Sequence, residues 1–217
     1  MNNVYDEFVE DLKKRSDVLG IILFGSWARG NNRPDSDVDL VVILKEGFRR
    51  TVEYRGSQAF EIIYTIDNSA FDYWESHKDD CAGLWEVAKV LYDKNGTIQR
   101  LQKRVKRMLK PGKKPYDQYQ LGQLRFDAED QLNYVKKIRT DDPTTARMIL
   151  LNKVFVLTEL FFDIKQLWTP APKQRLMRIK NIAPSFYELL VKLYRENRLL
   201  EQEKIAEAII DFVFSKS

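Results

Sequence analysis

Two aspartates, Asp37 and Asp39, stand two residues apart at the head of an apolar run, and a third acid, Glu61, interrupts the branched and aromatic run AFEIIYTI. Side chains alternate faces along a strand, so Asp37 and Asp39 point the same way with Val38 opposite, their Cα atoms about 7 Å apart. Carboxylates that close repel unless something neutralises them, and a hard divalent cation with oxygen ligands is the usual remedy. The plainer alternatives are a solvated strand start for the aspartates and a solvated sheet edge for Glu61.

These acids need elements to position them. Val18 to Phe24 is short, apolar, rich in branched residues and stopped by Gly25, which reads as a buried strand; Val38 to Leu44 reads as a second. Between them, Gly25-Ser26 lets the backbone approach a ligand closely. Ser26 suits the N-cap of a short helix through Arg29, aiming N–H groups at phosphate, and Arg29 adds a permanent cation. An ordinary strand-to-helix turn accounts for the same residues without a ligand.

Taken together, Gly25-Ser26-Trp27-Ala28-Arg29-Gly30 and Ser36-Asp37-Val38-Asp39-Leu40 resemble the signature of the polymerase-beta-type nucleotidyltransferase superfamily. Within it, the chain is most similar to bacterial aminoglycoside (kanamycin) and lincosamide nucleotidyltransferases and to the minimal nucleotidyltransferase antitoxins. The resemblance implies an α/β (α+β) fold class, with a nucleotidyltransferase-fold mixed sheet and flanking helices at the N-terminus and an all-α helical bundle at the C-terminus. It also implies that Asp37 and Asp39 bind two Mg²⁺ ions about 4 Å apart. Glu61 is then a third ligand and the candidate base, although the family often has Asp there. Gly25, Ser26, Arg29 and Ser36 would hold the phosphates of ATP or another NTP, with Lys153 of the helical half as a further contact. A nucleoside monophosphate, AMP by expectation, passes to a hydroxyl and pyrophosphate leaves.

Three acceptors follow from the resemblance: an antibiotic such as an aminoglycoside or lincosamide, which would make the chain a resistance enzyme; a protein hydroxyl, as for an antitoxin; and RNA. The first is preferred on chain length and layout. A non-catalytic binding protein is disfavoured by the clustered acids.

The remaining sequence bounds these readings. The 217 residues are 44% hydrophobic with 12 Phe and 10 Tyr, which is ample core without staples. One cysteine, Cys81, excludes an internal disulfide, and with one histidine, His77, there is little material for a zinc site or a histidine-based triad. His77 reads as a polar helix residue. The N-terminal MNNVYDEFVEDLKKR lacks the apolar core of a signal peptide, and no run is long enough to span a bilayer, so a cytoplasmic protein without membrane partners is expected, monomeric or homodimeric.

The net charge of +4 conceals an asymmetry: residues 1–98 carry 12 bases against 18 acids, the rest 24 against 14. Most of the excess lies in Arg100 to Lys114, eight bases without an acid, which makes RNA conceivable while a solvated basic face remains the commoner explanation.

Along the chain, Val4, Phe8, Val9 and Leu12 recur at helical spacing. Arg49 to Tyr54 and Gln58 to Ile66 flank Arg55-Gly56-Ser57 as a hairpin, Ser69 to His77 reads as helix, and Leu84 to Ala88 is ambiguous. A strand over Lys89 to Tyr92 precedes an amphipathic helix from Thr97 whose apolar face is Ile98, Leu101, Val105, Met108 and Leu109. The linker Lys110 to Pro115 then separates an expected catalytic domain, 1–110, from an expected bundle, 115–217, completing the acceptor cleft. Helices are expected over Tyr116 to Arg139, Pro143 to Trp168, a short piece to Lys180, Pro184 to Glu196 and Leu200 to Phe214. In the second of these, Asn152, Glu159, Asp163 and Gln166 fall on one stripe, either solvated or, for Glu159 and Asp163, lining an acceptor site.

Overall fold

In a computed structural model, residues 3–215 are described and the chain divides into two compact units, Met1–Pro111 and Gly112–Ser217. Met1, Asn2, Lys216 and Ser217, at the outer ends of the two expected domains, lie outside the described residues.

The first unit is built on a five-stranded mixed sheet, β1 (Val18–Phe24), β2 (Val38–Leu44), β3 (Arg49–Arg55), β4 (Gln58–Thr65) and β5 (Lys89–Asp93), in the order β3-β4-β2-β1-β5. The β2–β4 pair is parallel and the others are antiparallel. The central strands read as continuous apolar runs because both faces are covered. On one face, α1 (Asn3–Lys14) packs Phe8, Val9 and Leu12 against Ile21, Leu40, Val42, Phe60 and Ile62. On the other, α3 (Asp67–Ser76), α4 (Lys78–Trp85) and α5 (Thr97–Leu109) bring Ala70, Trp74, Cys81, Ile98, Leu101 and Val105 against Ile22, Val41 and Ile43.

This alternation decides where the acids point. Asp39 lies between Val38 and Leu40, which face α1, so its side chain stands on the α3/α5 face. Glu61, between Phe60 and Ile62, stands on that face too.

Some local expectations are corrected. Ser26 does not cap the short helix α2 (Gly25–Arg29): helical structure starts at Gly25, whose φ of +69° turns the chain directly out of β1 and leaves no spacer for a capping residue. Arg55 belongs to β3, so the hairpin loop is Gly56-Ser57, with Gly56 at φ +58° supplying the left-handed position. His77 sits at the junction of α3 and α4 rather than inside a helix, its Nδ1 2.9 Å from the Tyr73 carbonyl oxygen and its ring stacked on Tyr73. Cys81 is fully buried, and burial pushes its thiol up to about 12, so it is no nucleophile at neutral pH.

The second unit is helical: α6 (Gln118–Ile138), α7 (Pro143–Ile164), α8 (Pro172–Ile182), α9 (Pro184–Arg195) and α10 (Leu199–Phe214). Asp142 caps α7 by accepting from the Thr145 N–H, and Asp117 caps α6 within a capping box. The core gathers Leu150, Val154, Leu157, Phe161 and Phe162 of α7 with Leu132 and Val135 of α6, Phe186 and Leu190 of α9, and Ile205 and Ile209 of α10. Helix α7 stops at Ile164 instead of Trp168, because the chain turns through Gln166 at φ +56°. Gln166 therefore leaves the polar stripe expected for this helix. Among the described residues, no helix is long and apolar enough to cross a membrane.

Candidate active site

One oxygen from each of Asp37, Asp39 and Glu61 lies within 4.8 Å of the others. Backbone pairing accounts for this convergence. Asp39 and Glu61 are register partners on the parallel strands β2 and β4, and Phe24, the last residue of β1, is the antiparallel partner of Asp39. Chain reversal after Phe24 therefore passes beside the Asp39 carboxylate. At Gly25 a Cβ would fall on that carboxylate, so glycine is required there both for space and for its positive φ.

Asp37 is exposed and precedes β2, so it needs other restraints. They converge on its neighbour. The Ser36 carbonyl oxygen accepts from the Trp27 indole N–H at 3.2 Å and from the Gln58 amide at 2.9 Å, tying the loop to α2 and to β4. The Ser36 hydroxyl oxygen accepts from the Arg33 N–H at 2.9 Å, which closes the loop from within. Trp27 is itself stacked on Tyr5 of α1. Arg29 ends α2, where Gly30 takes the left-handed cap at φ +76°.

Glu61 has a partner that was not anticipated. Arg50 of β3 donates both Nε, at 3.0 Å, and Nη2 to the same oxygen, Oε1. The carboxylate in turn raises the Arg50 pKa, chiefly through this hydrogen bond. Register explains the pairing, since Val52 is directly opposite Glu61 and Arg50 is its diagonal neighbour on the same face. Asp37, Asp39 and Glu61 could thus hold a hard divalent cation, all three donors being carboxylate oxygens.

The other anticipated site residues, Lys153, Glu159 and Asp163, belong to the helical unit. Lys153 is half-buried on α7 beside Gln131 and Leu132 of α6. Glu159 pairs with the Arg175 guanidinium at 2.9 Å, and that guanidinium also donates to the Thr158 hydroxyl and lies over the Phe155 ring. Asp163 pairs with Lys113, which also donates to Thr169 at 2.8 Å. Trp27, Gln58 and Arg50 carried no signal of their own in the sequence, because each acts through a partner distant along the chain.

Residues 5–111 match the nucleotidyltransferase domain family over the same segment that carries the carboxylate cluster. The first unit is a nucleotidyltransferase domain. The chain is accordingly an enzyme of the nucleotidyltransferase type. A protein of Methanocaldococcus jannaschii, provisionally named a protein adenylyltransferase, is 29% identical over 123 residues, covering 51% of this chain and 84% of the relative. Among solved structures, a nucleotidyltransferase-like protein from Exiguobacterium sibiricum aligns at 12% identity and a TM-score of 0.49, covering 97% of this chain and 72% of that one. A spectinomycin adenyltransferase from Enterococcus faecialis, solved with ATP and spectinomycin, aligns at 13% identity and a TM-score of 0.39, covering 99% and 100%. Both alignments are loose, and the assignment of the nucleotidyltransferase domain stands on the family match.

Proposed function

We propose that the chain transfers AMP from ATP to a hydroxyl group, releasing pyrophosphate, and that the acceptor is a protein side chain. The observation that carries the transfer chemistry is the convergence of Asp37, Asp39 and Glu61 beside a glycine turn that a side chain would block. These three residues would hold Mg²⁺, which when bound offsets phosphate charge and makes an acceptor hydroxyl more acidic. Gly25, Ser26 and Arg29 hold the β- and γ-phosphates of the nucleotide, with the Ser36 O–H as a further donor. Glu61 takes the acceptor's proton through Oε2, the oxygen that Arg50 leaves outside its hydrogen bonds. The hydroxyl oxygen then forms its bond to the α-phosphorus as the bond to the bridging oxygen breaks.

The choice of a protein acceptor is supported by the Methanocaldococcus jannaschii relative. A cationic drug would look to Glu159 and Asp163, and both are engaged by their own bases. A small-molecule acceptor is the second reading, favoured by the match to that relative covering 51% of this chain. ATP labelled at the α-phosphate, incubated with the protein, Mg²⁺ and either cell protein or antibiotic panels, separates them. Label in acid-precipitable protein, absent with Asp39→Asn, is the expected result. Label carried only by an aminoglycoside or lincosamide would replace the protein acceptor with the second reading.

A further inference from the structure

The three-carboxylate cluster concentrates negative charge, and Arg50 touches one acid of it through one oxygen. Arg50 and Glu61 stand diagonally across the β3–β4 hairpin, and both guanidinium contacts fall on Oε1. A fork gripping both oxygens would close the carboxylate to other partners. This grip leaves Oε2 outside the pair. Glu61 is the more enclosed partner, with 27% of its side chain exposed against 66% for Arg50. The base is thus the more solvent-exposed of the two.

Resting on the reading that the cluster takes a divalent cation, we infer that Arg50 is the built-in counter-cation of Glu61: it offsets repulsion in the metal-free cluster and, by its own charge, weakens cation binding there. Two effects of Arg50 on a cation oppose each other. Its positive charge repels the ion, and its hydrogen bonds hold a ligand in place. The charge dominates, because the backbone of Glu61 is already set by parallel pairing with Asp39 and its side chain is the more enclosed of the two, leaving little for Arg50 to organise. A cation site balanced in this way fills when a nucleotide brings further phosphate charge, and is poorly filled without one.

The test uses the full chain without nucleotide. Mn²⁺ affinity is read from the free-ion EPR signal, and metal-free melting temperature by calorimetry, for wild type, Arg50→Gln, Arg50→Lys, Glu61→Gln, Asp39→Asn and the Arg50→Gln, Glu61→Gln double variant. Arg50→Gln should tighten Mn²⁺ binding roughly three- to tenfold, as expected when a partly screened like charge is removed, and should lower the metal-free melting temperature. Arg50→Lys should stay near wild type in both. In the Glu61→Gln background, where no carboxylate holds the exposed guanidinium beside the cluster, the same Arg50 change should lose most of its effect on affinity and on melting. Weaker or unchanged Mn²⁺ binding in Arg50→Gln, with binding still abolished by Asp39→Asn, overturns the counter-cation while keeping the cation site. Absence of Mn²⁺ binding in wild type and in Arg50→Gln alike overturns both.

Discussion

Two sets of acidic side chains, one in each unit, are arranged in opposite ways. In the helical unit the relevant acids are matched one to one: Glu159 with Arg175 at 2.9 Å, Asp163 with Lys113, and Glu203, 2% exposed, with Arg139 at 2.5 Å. In the sheet unit, three acids contributed by a loop and two strands meet within 4.8 Å, with Arg50 set against Glu61. Matched pairs hold each of these acids against its own base. A gathered cluster does the reverse, keeping acids together at a local electrostatic cost that makes sense where a cation is to be bound.

The largest effect should come from removing one carboxylate of the cluster. Asp37→Asn and Asp39→Asn should each lower nucleotidyl transfer by on the order of 10³-fold, while the metal-free melting temperature of Asp37→Asn stays level or rises because repulsion is relieved. A melting temperature that falls in step with activity would make Asp37 structural, like the acids of the helical unit. Gly25→Ala comes next. It adds a methyl group where the Asp39 carboxylate lies and forces alanine to φ +69°. A displacement on this scale should cost about 10²-fold in activity, read alongside a destabilisation of about 1–3 kcal/mol by urea titration.

How much of this was legible in the sequence follows from the range of the interactions involved. Strands β1 and β2 were readable at their ends because apolar runs stopped by Gly25 and begun after Asp37 are local signals. Helix α4 was not, since KDDCAGLW places only Cys81 fully in the core and carries a glycine within it. For the site, the three acids were visible and Arg50 was not. Reading Arg55 as a loop residue pairs Tyr54 with Gln58 and puts Glu61 opposite Thr51; the observed two-residue loop puts it opposite Val52, which swings Arg50 onto the same face. One residue of register separates a lone acid from an ion pair. Glu159 and Asp163 are one turn apart on α7, while their bases lie 16 and 50 residues away along the chain, beyond the reach of periodicity.

Within the helical unit the comparison can be sharpened by burial. Glu203→Gln removes a carboxylate that is almost fully enclosed and leaves Arg139 without its charge partner, so a loss of about 2 kcal/mol is expected, below the full value for buried pairs because Arg139 is partly solvated. Glu159→Gln, at a site 42% exposed, should cost about 0.5 kcal/mol. Chemical denaturation of the full chain measures both. Equal losses would mean that enclosure does not govern these pairs.

The smallest effects are expected on α5, where the basic residues divide between packing and solvent. Arg104 donates to Asn68 Oδ1 at 2.9 Å and lies 4.0 Å over the Phe71 ring, joining α5 to α3. Arg104→Gln should therefore cost about 0.5–1 kcal/mol of stability. Lys103 and Arg107 are exposed and one helical turn apart, so they repel each other along the helix by a few tenths of a kcal/mol, partly offset because bases near a helix C-terminus complement its dipole. Replacing both with Gln should leave stability within about 0.5 kcal/mol of wild type and should leave transfer to a protein acceptor unchanged from low to high salt. An acceptor held by phosphate contacts behaves otherwise, because each contact releases counterions and binding weakens steeply as salt rises. Steep salt dependence that flattens when Lys103 and Arg107 are neutralised would identify a nucleic-acid acceptor, because a face that only meets solvent has no counterions to release on binding.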